Sequence, residues 1–547
     1  MTSHSVDRPE RTPVRPRRIL AALGAAVVTA LASAPSGYAA PPPEPTAPVA
    51  GPATGQYRDS FVRHAGARLT VNGREFRFSG ANIEWLGLAN YGPNPSSPIP
   101  AGSERYATRY EVDDALATAR DMGATAVRAQ TLGDTIGCAQ CLEPQLGQFD
   151  PAALGQIDMV VAEAHRYGVE LFGEFDGDAN GAPTPTHASL SGQGHGWYCV
   201  WRHRSDCGKA FFTDPALIGD YEHHMDALLN HVNPYTGLAY KDDPTFAGWV
   251  DGNNIGLGDG QTSATLDRWI RTVSDHFKAV DHNQLFIDNS SVGGIGSIDP
   301  GALRIPGVDV FATEYYPHWI PGVMGDRVDG NAPTLHQAAA QAAAAGKAFS
   351  PIEFGWDNTD FLTPAALQQF LTGLEADPNI AGDNYWALQS HANGHGWQPI
   401  PADTGCTPTC QWGEDGNWWA LYYTGIDTRS NTAADMAARA QLLRAHAYRM
   451  AGYPAPPAHQ PVPAPTITST TANTVLFQGS AGSPAYTIQR QAPGGAWKTV
   501  CDSCVTDSSR TWHDPNTDPG CYRVIGHNLD GIEGPASSPS GNCRREN

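Results

Sequence analysis

The sequence predicts an α/β fold: a (β/α)8 barrel of the TIM type followed by a small all-β sandwich domain. Three observations carry that reading. Strand and helix signals alternate eight times between residues 57 and 452. A Pro-rich stretch, 453–464, then interrupts the pattern. From 465 to 547 only short β-branched and aromatic runs remain, with turn residues between them. A doubly wound sheet would need a Gly-rich phosphate turn after its first strand, and none is present.

The elements follow in order. Phe76 to Asn82 reads as the first strand. Thr108 with Glu111 forms a capping box, and Val112, Leu116, Ala119 and Met122 mark one face of the helix it opens. Gly123 ends that helix, and Ala124 to Ala129 is the second strand. Leu154, Ile157, Val161 and Ala164 mark the next helix, which stops at Gly168 before the third strand, Val169 to Phe175. Leu217, Tyr221, Met225 and Leu228 lead to the fourth strand, Phe246 to Asp251. Leu266, Ile270, Val273 and Phe277 lead to the fifth, Gln284 to Asp288. Val308 to Thr313 is the sixth. An Ala-rich helix, Leu335 to Ala345, precedes the seventh, Ala348 to Ile352. Pro364 to Leu374 precedes the eighth, Ile380 to Leu388, and Ala433 to Met450 is a closing helix.

The ends of the chain bound its setting. Arg15, Arg17 and Arg18 precede an apolar run, Ile19 to Ala34, too short to span a bilayer, and Gly37-Tyr38-Ala39 is a cleavage-like site. Residues 1–39 thus read as a signal peptide and 40–56 as a Pro-rich leader, which predicts a secreted, extracellular protein with no membrane segment after processing. The net charge of −21 argues against a nucleic-acid partner, since phosphate binding wants a basic surface. Ten cysteines in an exported chain should pair. The spacing suggests Cys138–Cys141, Cys199–Cys207 and Cys406–Cys410. Cys501, Cys504, Cys521 and Cys543 allow three connectivities, of which 501–504 with 521–543 is favoured. A zinc site would need a second ligand pair at finger spacing, which is missing. The His391 and His395 pair straddles Gly394 and reads as a loop rather than as metal ligands. No metal and no cofactor is expected.

In a barrel, chemistry sits at the carboxyl ends of the strands. There the sequence places Asn82, Glu84 and Trp85; Arg128; Glu174, Asp176 and Asp178; Asp251, Asn253 and Asn254; Glu314, Tyr315 and Tyr316; Glu353; and Trp386. Carboxylates beside aromatic rings suit glycoside cleavage, because carboxylates serve as acid and nucleophile while rings stack on sugar faces.

These residues carry a resemblance. The run from Asn230-His231-Val232-Asn233-Pro234 to Phe246-Ala247-Gly248-Trp249, and Phe211-Phe212-Thr213-Asp214-Pro215, look like the endo-β-1,4-mannanase branch of glycoside hydrolase family 5. Lys347-Ala348-Phe349-Ser350-Pro351-Ile352-Glu353-Phe354-Gly355 is similar to that family's seventh-strand segment. The resemblance covers roughly 73–452. It implies Glu353 as nucleophile, Arg128 and Tyr316 as its partners, Asn253 as the holder of the sugar 2-hydroxyl and Trp386 as the platform under the cleaved sugar. Trp85 is a second ring for substrate. There are two departures. Asn254 stands where the family has its acid/base Glu, and Glu314 stands where it has His. Glu314 is therefore the candidate replacement acid, with Asp251 and Glu174 as rivals. The late strands around Tyr522-Arg523-Val524 resemble a fibronectin type III module, a spacer or a carbohydrate-binding unit.

The expectation is a monomeric secreted glycoside hydrolase with a retaining mechanism, acting on a β-linked polysaccharide or oligosaccharide, mannan by default. The alternatives are a non-catalytic carbohydrate-binding relative, or a hydrolase of another glycoside with its acid relocated to Glu314.

Overall fold

In the computed structural model the described residues are 60–89, 104–177, 194–253, 255–256, 261–290, 298–316, 330–356, 363–392, 396–397, 421–423, 432–471, 473–506, 511–518 and 520–540. The signal-like segment, the leader, Asp178, Asn254, His395, Cys406, Cys410 and Cys543 lie outside them.

Eight parallel strands close into a barrel in the order seven, eight, one, two, three, four, five, six. They are Phe78–Asn82, Ala126–Arg128, Glu170–Glu174, Phe246–Val250, Leu285–Asp288, Val310–Tyr315, Ala348–Phe354 and Gly382–Tyr385. All eight expected strands are present. The sixth runs two residues past its expected end, so Glu314 and Tyr315 lie within the ladder. The eighth is shorter than expected, and Leu388–Gln389 pairs instead with Leu421–Tyr422.

The first strand begins two residues late because Arg74–Phe76 belongs to another sheet. That antiparallel sheet, Arg63–Ala65, Arg68–Val71 and Arg74–Phe76, was not expected. Its Val62, Leu69, Val71 and Phe76 form one cluster with Phe78, Ala126, Phe172, Val250, Ile287 and Ile352 of the barrel. It closes the end of the barrel away from the carboxyl ends of the strands. Arg77 fixes the junction by donating to the carbonyls of Leu374, Glu375, Asp377 and Ile380 at 2.7–3.1 Å.

The helices pack outside the strands in a second, larger cluster. The Arg109–Asp121 helix has its capping box. Glu111 N donates to Thr108 Oγ1 at 3.3 Å, and Thr108 N donates to Glu111 Oε2 at 2.7 Å. Gly168 ends the Pro151–Tyr167 helix in the left-handed region at φ 68°. The closing helix, Ala433–Met450, is pinned to the eighth strand through His446, whose ring nitrogens face Glu375 and Asp383, each at 2.9 Å.

After residue 465 the chain forms two antiparallel sheets. One contains Thr466–Thr470, Thr474–Gln478 and Trp512–His513. The other contains Trp497–Val505, Ala485–Gln491, Cys521–His527 and Glu533–Ala536. Val475, Phe477, Tyr486, Ile488, Tyr522 and Val524 make their core. The barrel and these sheets belong to one compact unit. The Pro-rich connection is held at its middle: His459 Nε2 lies 2.6 Å from Tyr448 Oη, and His459 N donates to Asp530 Oδ2 at 2.8 Å. Cys138–Cys141, Cys199–Cys207 and Cys501–Cys504 are disulfides, and Cys521 is also disulfide-bonded.

Candidate active site

Side chains alternate across a strand, so each strand end offers one inward position to the barrel mouth. On the sixth strand Tyr315 points outward and stacks on Phe370 of the Pro364–Ala376 helix, with ring centroids 5.1 Å apart. Glu314 and Tyr316 therefore point inward. On the seventh strand Phe354 packs on the same Phe370 at 5.2 Å, which turns Glu353 inward.

The seventh strand carries a register shift that matters here. Pro351 pairs with Thr313, but Glu353 pairs with Glu314, so Ile352 is an extra residue. Proline has no N–H to give to the ladder, and a bulge is where a sheet tolerates one. The shift sets Glu353 directly beside Glu314 on the neighbouring strand.

Arg128, at the end of the second strand, joins the inward set and is fully buried. Nη1 donates to Glu353 Oε2 at 2.7 Å and to Asn82 Oδ1 at 3.1 Å. Nε donates to Glu174 Oε2 at 2.9 Å, and Nη2 lies 2.7 Å from the same oxygen. Nη2 also donates to Asn253 Oδ1 at 2.8 Å. The whole guanidinium fork is thus partnered, as a buried charge requires. Burial opposes the Arg128 charge, but Glu174, Glu353 and Glu314 outweigh it and raise its pKa. The second oxygen of Glu353 accepts from the Tyr316 hydroxyl. Glu353 is held on both oxygens by groups from the second and sixth strands.

Two further carboxyls titrate near neutrality. Glu174 is raised to about 7 by burial, with Arg128 opposing and Glu353 and Asp176 adding to the rise. Glu84 is half-buried as a residue, yet its Oε2 is out of solvent. Burial, with a smaller push from Glu353, raises it to about 7. Below them, Asp251 and Asp288 sit at the ends of the fourth and fifth strands. Burial raises both, Asp288 to about 6, and the Asp288 charge adds to the rise of Asp251.

The structure therefore brings together Arg128, Asn253, Glu314, Tyr316 and Glu353. Asn253 Oδ1 is committed to Arg128, so a sugar hydroxyl would meet its amide NH2. Trp386 is half-buried, its backbone N donating to Phe354 O at 2.7 Å. Trp85 is placed differently from expectation: it is 4% exposed and belongs to the helix-side cluster, which leaves little ring face for a ligand. Asn254 lies outside the described residues. Asn82 and Glu174 read from the sequence as strand-end residues, and the structure adds both to the Glu353 network through Arg128. Their inward parity was the available signal, but bonding to one buried arginine is a long-range fact that no local pattern carries.

Residues 181–300 match the family model described as GH family 5 beta-mannosidase-like. The chain is 27% identical over 284 residues to mannan endo-1,4-beta-mannosidase 1 of Oryza sativa subsp. japonica, covering 48% of this chain and 60% of that protein. It is 31% identical over 232 residues to mannan endo-1,4-beta-mannosidase 2 of the same organism, covering 41% of this chain and 46% of that protein. The chain thus spans about half the length of the curated relatives it matches. Among solved structures, the endo-1,4-beta-mannanase from Rhizomucor miehei aligns with a TM-score of 0.53 at 19% identity, over 72% of this chain and 100% of that one. The endo-beta-1,4-mannanase from Thermotoga petrophila aligns with a TM-score of 0.52 at 17% identity, over 85% of this chain and 98% of that one. Part of the chain is thus similar to the family 5 mannosidase-like proteins, and the chain has the closed parallel barrel of the solved mannanases it aligns with.

Proposed function

We propose that this relative of the family 5 mannosidase-like proteins is a secreted glycoside hydrolase that cleaves a β-linked mannan. Glu353 is its nucleophile. The observation that supports this most is the grip on Glu353, with Arg128 on one oxygen and Tyr316 on the other. A carboxylate fixed on both oxygens at the mouth of a barrel is oriented for in-line attack on an anomeric carbon.

The register partner Glu314 is the proton donor. Neighbouring strands are about 4.8 Å apart, close to the roughly 5–5.5 Å between carboxyls in retaining enzymes. In the first step the Glu353 oxygen bonds to the anomeric carbon as the glycosidic bond breaks, and the Glu314 proton goes to the departing oxygen. In the second step water attacks that carbon, Glu314 takes back a proton, and the Glu353 ester bond breaks. Asn253 and Trp386 hold the sugar. The two C-terminal sheets, of three and four strands, support the fibronectin type III-like reading of that region.

A second reading, a carbohydrate-binding relative without turnover, is favoured by one observation: the residue after Asn253 is Asn254, and an amide supplies no proton. The test is the purified protein on a panel of β-linked polysaccharides with reducing-end detection. Mannan should be cleaved, and Glu353→Gln should lower turnover by several orders of magnitude. A loss within about tenfold, near 1.4 kcal/mol, removes Glu353 from the role. Sugar binding without cleavage on any panel member favours the second reading.

A further inference from the structure

The barrel and the C-terminal sheets meet at one buried carboxylate. Asp114, on the Arg109–Asp121 helix, is fully buried. Its Oδ2 accepts from the His391 backbone N–H at 2.9 Å and lies 3.0 Å from His391 Nδ1. Its Oδ1 accepts from the Gly482 N–H at 2.8 Å. The other ring nitrogen of His391, Nε2, lies 3.2 Å from the Thr506 carbonyl. A carboxylate only accepts, so Nδ1 donates to Asp114.

These partners come from three places in the chain. His391 follows the eighth barrel strand and lies five residues beyond Trp386. It opens the short pairing of His391–Ala392 with Gly396–Trp397. Gly482 is in the turn between the Thr474–Gln478 and Ala485–Gln491 strands, and Thr506 follows the Trp497–Val505 strand. Gly482 has φ 76°, and a Cβ there would come within 3.1 Å of the Ala117 Cβ, so the turn lies flush on the helix. His391 is itself 1% exposed, and Tyr423 Oη lies 3.4 Å from its Nδ1.

We propose that Asp114 and His391 are positioning residues. Through them the C-terminal sheets brace the segment from Trp386 to Ala392 at the barrel mouth. The C-terminal region then forms part of the catalytic unit rather than a spacer. The argument concerns the segment that bears the platform Trp386, so its kinetic consequence rests on the hydrolase reading. Its structural consequence does not.

Asp114→Asn keeps shape and volume. Three N–H groups converge on the two Asp114 oxygens, so either orientation of the amide sets an NH2 group against an N–H. Gly482→Ala disturbs the same contact from the C-terminal side. The experiment is backbone hydrogen exchange on the full-length protein, compared for wild type and the two variants. Both substitutions should speed exchange across 386–392 by about tenfold or more, with the second to seventh barrel strands unchanged. On a cleavable mannan oligosaccharide, KM should rise about tenfold with kcat held within about threefold.

The proposal is overturned if Gly482→Ala speeds exchange only around 480–483. It is also overturned if exchange rises throughout the barrel, or if 386–392 loosens with no change in KM. If the wild type cleaves nothing, the exchange results still decide the brace, and only the hydrolase reading fails.

Discussion

Replacing His446 with glutamine should remove a pH-dependent clamp between the closing helix and the eighth strand. His446 is buried, with Nε2 2.9 Å from Asp383 Oδ2 and Nδ1 2.9 Å from Glu375 Oε1. Asp383 also accepts from Ser79 Oγ at 2.8 Å, and Glu375 accepts from Arg449 at 2.8 and 2.9 Å. Burial disfavours the imidazolium, but Asp383 and Glu375 outweigh it and raise the pKa from 6.5 to about 9. A folded-state pKa above the unfolded one means that the proton stabilises the fold. That contribution is complete below pH 6.5 and is lost as the pH climbs through about 9. At about 1.4 kcal/mol per tenfold change in proton affinity, it amounts to roughly 3 kcal/mol. The assay is urea unfolding of wild type and His446→Gln from pH 6 to pH 10. The stability gap should be about 3 kcal/mol at pH 6 and should shrink steadily towards pH 9.5. Glu375, held down to about 2 by its hydrogen bonds to His446 and Arg449 against the cost of burial, adds an acid limb that fades below pH 4.5. A gap that stays constant across this range would refute the charged clamp and leave only packing.

Other outcomes follow from the same geometry. Arg128→Met strands Glu174 and Glu353 without their buried counter-charge, and should cost about 3–5 kcal/mol in unfolding at pH 7, less at pH 5 where the carboxyls can protonate. Glu314→Gln should abolish cleavage of mannan while sparing aryl glycosides with acidic phenols, which need no protonation. Equal loss on both would give Glu314 a structural role. Asn254→Glu should not raise activity on mannan if Glu314 already donates the proton, and a clear gain would return the acid to the fourth strand. A chain ending at Gly452 loses the Gly482 donor to Asp114 and the Asp530 partner of Arg444, so calorimetry should find it folded but less stable by a few kcal/mol. Unchanged stability would show these contacts to be idle.

The barrel was legible because its evidence is local. Helical faces recur every three or four residues, caps sit beside them, and each strand is a short apolar run. The sequence pattern carries the sixth strand only to Thr313, and Glu314 continues it. Its charge faces that of Arg128, nearly two hundred residues earlier in the chain, which no local pattern shows. The N-terminal sheet did leave a local sign. Asn72-Gly73, with φ of 52° and 73°, is a tight hairpin turn between Arg68–Val71 and Arg74–Phe76. Trp85 could not be told from Trp386 by composition, since both follow strands and only packing separates a core ring from an accessible one. The Pro-rich 453–464 segment reads as a flexible tether from composition, yet the partners that fix it, Tyr448 and Asp530, lie outside it.

The extra residue in the seventh strand has a consequence for how this chain can change. Pairing parity in a sheet has a period of two, so one inserted residue reverses the facing of everything after it unless a bulge absorbs it, as it does here. A regular ladder that kept Ile352 would set it opposite Glu314, pair Glu353 with Tyr315, swing Glu353 out against Phe370 and turn Phe354 into the mouth. Regularity and chemistry are opposed at this point. Substitutions at 352 are open to drift within the limits of volume, whereas loss of the bulge inverts the site in a single step.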